Sequence, residues 1–225
     1  MSNVEQLAAQ LTGIFGPRLK MVAAFGAGPQ TCAVVDTLTV DDLDRCAALS
    51  AAWKRAGMDV PLLIVHHELA RALDAFPLEF SEIIATRRLI AGNDLFQQLA
   101  VTAEDVRRAC EVQARSHLLH LREGYLETRG RGDALSVLIV SSAPAFAALV
   151  ASLARLDGQP AHDAAASGRH GERLLGVPGG SIGDIVALTH VREISSQDAE
   201  RLFPPYLDAV EKLVSYVDNW RGDGR

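Results

Sequence analysis

The chain lacks most of the features that point directly to a chemistry. Its 225 residues include three cysteines, Cys32, Cys46 and Cys110. These are far apart, odd in number and form no C-x-x-C pair, which excludes a disulfide framework and leaves them reading as reduced, buried thiols of a cytoplasmic protein. Basic residues are not in excess. The net charge is -6 and the sequence pI is about 5.6, so a general nucleic-acid surface, which needs a basic face, is excluded. No apolar stretch reaches the roughly 20 residues of a membrane span, and the longest, Ala134 to Leu156, is interrupted by Ser141, Ser142 and Pro144. No basic start leads into an apolar run, so no signal peptide is expected. There is no G-x-S-x-G elbow, no zinc spacing, no dinucleotide fingerprint, no internal repeat and no low-complexity segment.

What is present is an ordinary globular balance, 48% hydrophobic and 22% charged, enough for one large domain or two small ones. The chain is organised around Lys20 to Leu38. There an apolar run, Met21 to Phe25, meets a Gly/Pro corner, Gly26 to Gln30, and a second apolar run, Cys32 to Val35, ends on Asp36. Two such runs about a corner predict paired strands, and Gly26 and Gly28 permit positive φ or close backbone approach. A plain hairpin is the simplest reading of the same residues.

Asn3 to Ile14 has helical spacing, stopped by Gly16-Pro17. Thr39 with Asp42 predicts a capped helix that ends before Gly57, and Val60 to Val65 reads as the returning strand of a β-α-β crossover. His66 to Ala75 reads as a short helix, Phe76 to Ile84 as a further strand, and Arg87 to Leu95 as a polar connection. From Thr102 helical periodicity takes over. The expectations are one helix to about Gly130, a second over Asp133 to Leu156 bent at Pro144, and a loop over Gly158 to Gly171. A short helix over Ile182 to His190 and a last helix capped by Ser195 and Asp198 follow. The expected class is therefore α+β, with a small mixed sheet over residues 1–99 followed by an all-helical bundle over 100–225.

This order of elements resembles the nucleotidyltransferase superfamily, and within it small bacterial proteins with an aminoglycoside-nucleotidyltransferase-like core and a helical C-terminal domain. The family pattern is a Gly-Ser turn after the first strand, an Asp-x-Asp pair on the second and a third carboxylate on a later strand. In this chain Phe25-Gly26-Ala27 occupies the turn, with alanine in place of serine, and Pro29 removes a further N–H. The resemblance implies that Phe25, Gly26, Ala27 and Gly28 are nucleotide-binding. Where the Asp pair belongs, the chain has Gln30-Thr31-Cys32, and no acidic residue lies between Lys20 and Asp36. Mg²⁺ beside a triphosphate takes hard oxygen ligands, usually carboxylates. The remaining catalytic candidates are Asp36, with Glu79 or Glu82 in the third position.

Two readings follow from the resemblance. In the first, the chain is a degenerate, non-catalytic member without cofactor that binds a nucleotide, a small ligand or a partner protein in the cleft between its halves. In the second, it is an active enzyme that uses Mg²⁺ and a nucleoside triphosphate through displaced ligands. A third reading is an interaction or regulatory protein that homodimerises through its helical half, with Leu207, Val210, Leu213, Val214, Val217 and Trp220 as the apolar stripe. No membrane partner is expected.

Other clusters are less constrained. Arg115 and His120 match the Arg-x4-His spacing of HEPN ribonucleases, in which the arginine stabilises phosphate charge and the histidine moves a proton. His117 and His120 sit one turn apart with Glu123 nearby, a pair that needs further ligands from other helices to hold a metal. His66-His67-Glu68 lies at a strand-to-helix junction. Gly176 to Gly183 looks like a phosphate loop but lacks its lysine and follows no strand.

Overall fold

The computed structural model describes residues 2–26, 28, 30–159 and 163–221. Contacts divide the chain into two compact units, Met1–Thr102 and Ala103–Arg225.

The first unit is built on a four-stranded mixed sheet in the order β3-β2-β1-β4. Strand β1 (Leu19–Phe25) pairs antiparallel with β2 (Gln30–Val35), from Phe25 opposite Gln30 to Leu19 opposite Val35. After β2 the chain enters α2 (Val40–Arg55) and returns in β3 (Leu62–Val65), parallel to β2. That is the predicted crossover. Helix α1 (Asn3–Phe15) opens on a Ser2/Glu5 capping box, and α2 opens on the Thr39/Asp42 box. Asp42 is buried at 2% exposure and receives a two-pronged bond from the Arg18 guanidinium, both N···O distances being 2.7 Å. That ion pair and the cap hydrogen bonds hold the Asp42 carboxyl well below the usual range.

Sheet alternation sends Val22, Ala33 and Val35 to one face, where Leu7, Leu11, Phe15 and Trp53 of α1 and α2 cover them. Met21, Ala23, Cys32 and Val34 go to the other face, against Leu69 and Leu73 of α3 (Leu69–Ala75) and Phe80 and Ile83 of α4 (Pro77–Thr86). Two expectations are corrected here. Phe76 to Ile84 is not a strand: Pro77 sits at the first turn of α4, where its missing N–H costs nothing, and Pro77, Leu78, Phe80 and Ile83 are its buried positions. Arg87 to Leu95 is not merely a connection, because it contains β4 (Arg88–Gly92), which pairs antiparallel with β1 along the sheet edge.

The second unit is helical, with α5 (Ala103–Thr128), α6 (Gly132–Leu156), α7 (Ala164–Leu175), α8 (Gly183–Val186) and α9 (Ser196–Asn219). Helix α7 occupies much of the expected loop over Gly158 to Gly171; the rest of that range includes Pro160, Ala161 and His162, which lie outside the described residues. Ser195 caps α9, accepting from the Asp198 amide at 3.0 Å, and α9 runs through Pro204 and Pro205 without a break. Helix α6 is long and apolar enough, by length and composition, to cross a membrane, contrary to the sequence expectation. Part of that helix is buried, Ile139, Phe146, Val150 and Leu153 among its buried positions, while Val137 is exposed, and it contacts α5, α7, α8 and α9 within the helical unit.

Candidate functional site

The glycine corner forms where β1 ends at Phe25 and β2 begins at Gln30. Gly26 takes φ +67°, a conformation open to glycine. Ala27 and Pro29 lie outside the described residues, so Gly26 and Gly28 represent the turn. The Gly26 amide does not face outward as a free donor. It donates to Thr86 Oγ1 at 2.8 Å, and that hydroxyl donates to the Glu82 carbonyl at 2.7 Å. A Cβ placed on Gly26 would lie 2.6 Å from Gln30 Oε1 and 3.3 Å from Glu82 Oε1, so both oxygens close over the corner. Thr86 is the last residue of α4. The corner therefore meets the negative end of a helix and a carboxylate, the reverse of a phosphate cradle.

Arg87, the nearest guanidinium in sequence to this helix end, is engaged. Its Nε and Nη2 bond Asp94 at 2.9 Å each, and Nη1 donates to the Ile84 carbonyl. The Arg87 guanidinium holds the Asp94 carboxyl below its ordinary value. Arg88, level with Ala24 on β4, is the exposed basic residue beside the corner.

The three acidic candidates are not brought together. Glu82 reaches the corner, but from helix α4 rather than from a strand. Glu79, one turn earlier, is exposed. Asp36 follows the far end of β2, where its carboxylate pairs with Lys20 Nζ at 2.7 Å and its amide donates to the Arg18 carbonyl at 2.9 Å. At about 3.3 Å per strand residue, Asp36 stands roughly 20 Å from Gln30, whereas ligands of one Mg²⁺ lie at about 2.1 Å from the ion. Among the described residues no group of three or more His, Cys, Asp or Glu side chains is placed to hold a metal ion.

Gln30, Thr31 and Cys32, at the start of β2, supply no anionic oxygen. Thr31 and Cys32 are buried at 2% and 0% exposure. Burial pushes the Cys32 thiol up to about 12, so it is neutral. The Thr31 hydroxyl is buried without a hydrogen-bond partner. Gln30 is exposed and brings no charge. No strand of the sheet, β1 through β4, contains an aspartate or a glutamate. This donor set does not fit Mg²⁺.

In the helical unit the Arg-x4-His pair diverges. Five residues turn a helix by about 140° beyond one revolution. Arg115 Nη2 bonds Asp218 of α9 at 2.7 Å, while His120 is exposed and contacts Glu123 at 3.3 Å. His117 points inward instead. Its Nε2 lies 2.6 Å from Tyr206 Oη, which donates to Ser142 Oγ at 3.0 Å, and Ser142 donates to the Ile139 carbonyl at 3.0 Å. Burial lowers the His117 pKa to about 4, with His120 adding to the effect, and burial raises the Tyr206 phenol. The ring of His117 stacks on Phe146 at 5.8 Å. The sequence marks His117, while Ser142 and Tyr206, distant along the chain, went unmarked.

The glycine-rich segment Gly176 to Gly183 does gather backbone donors, but around the chain's own carboxylate. Glu172 Oε1 accepts from the amides of Gly180, Ile182 and Gly183 at 2.9, 3.1 and 2.8 Å. His66-His67-Glu68 forms an exposed turn after β3.

No family model matches the chain, and no curated protein matches it. In three dimensions the chain is similar to a spectinomycin adenyltransferase from Enterococcus faecialis whose structure was solved with ATP and spectinomycin. The TM-score is 0.58 over 94% of this chain and 98% of that one, at 11% sequence identity. Read with the mixed sheet and the helical unit that follows it, this likeness shows a nucleotidyltransferase-like α+β fold.

Proposed function

We propose that this chain is a nucleotidyltransferase-like binding protein that does not carry out metal-dependent nucleotidyl transfer. The observation that carries the reading is the absence of any carboxylate on the four strands that form the sheet. Such chemistry needs Mg²⁺ to neutralise the triphosphate and align the attacking hydroxyl, and Mg²⁺ needs hard anionic oxygens held within a few ångströms of one another. Asp36, Glu79 and Glu82 do not supply that arrangement.

The same corner supports a choice among ligands. Its backbone amide is committed to Thr86, and it faces Glu82 and the carboxyl end of α4. These groups favour a neutral or cationic group of a small ligand or partner protein over a triphosphate. Nucleotide binding through Phe25, Gly26 and Gly28 remains the alternative within this reading.

The test is isothermal titration of the full chain with ATP, with and without Mg²⁺, beside an assay for adenylyl transfer to spectinomycin, the compound bound in the similar structure. The expected result is no Mg²⁺-dependent tightening and no transfer. ATP binding that strengthens at least tenfold with Mg²⁺, or adenylyl transfer above background, overturns the proposal.

A further inference from the structure

We draw no further inference here: the strongest candidate, the cavity of about 600 Å³ where α6 and α9 begin, lined by Arg131, Asp133, Arg192 and Glu193, rests on two helix N-termini and exposed side chains of both charge signs, with no buried, unpartnered side chain among the described residues lining it to point to a ligand.

Discussion

His117 shows how burial fixes a protonation state. Its folded pKa of about 4 lies below the unfolded value of 6.5, so the unfolded chain takes up the proton first as the pH falls. The stability linked to neutral His117 is complete above about pH 6.5 and is lost progressively as the pH drops toward 4. Relative to a His117→Phe variant, the wild type should lose roughly 1 kcal/mol of unfolding free energy per pH unit across that window. Urea titrations of both proteins at pH 7 and pH 5 check this, and parallel pH profiles would refute it. The cysteines behave in a related way. Cys32 and Cys110 are buried with thiols pushed up to about 12. A thiol reagent should therefore label none of the three cysteines in the native protein and all of them in denaturant.

Gly92 makes a sharper local test. It takes φ +79°, and a Cβ there would lie 2.0 Å from the Lys20 carbonyl oxygen. Gly92→Ala should cost at least about 2 kcal/mol of stability, because backbone, not a movable side chain, blocks the space. A urea midpoint equal to wild type would contradict this.

Among the elements, those with strong apolar periodicity or recognised caps were legible, and those built on small residues or short edges were not. The Thr39/Asp42 and Ser195/Asp198 starts announced α2 and α9 because both signals are local. Phe76 to Ile84 misled because Phe76, Leu78 and Phe80 alternate over a short run, where strand and helix patterns look alike. Pro77 at the first turn was the signal that favoured a helix. Strand β4 escaped notice because it is short, begins on exposed Arg88 and Leu89, and is held by pairing to β1 rather than by its own burial. Helix α7 escaped because Ser167, Gly168 and Gly171 are among its buried positions, so close backbone approach to Gly183 and Ile182 replaces an apolar stripe. Glu172 completes that packing. Glu172→Ala should destabilise by about 2–4 kcal/mol by leaving three backbone amides without an acceptor. Glu172→Gln keeps an oxygen there and should cost less. Equal losses in both variants, read by denaturant midpoint, would show that the nest is not what matters.

For the whole molecule, the order of elements was enough to suggest a nucleotidyltransferase-like plan, and the three-dimensional likeness supports that plan. The acidic residues were harder to place from sequence. A count of carboxylates leaves Asp36, Glu79 and Glu82 as candidates. Only the register of β2 against β1 puts Asp36 at the other end of the sheet, and only the helical state of α4 aims Glu82 at Gly26. In this chain Thr86, Gln30 and Glu82 crowd Gly26 at that corner, which on our reading leaves it without a site for metal and nucleotide.

That claim is tested most directly by adding Mn²⁺ and ATP to isotope-labelled protein and following paramagnetic broadening of the backbone amide signals of Gly26, Gly28, Gln30 and Thr86. The account predicts that these four signals keep their widths. Selective broadening at Gly26 and Gln30 that depends on both metal and nucleotide would contradict it.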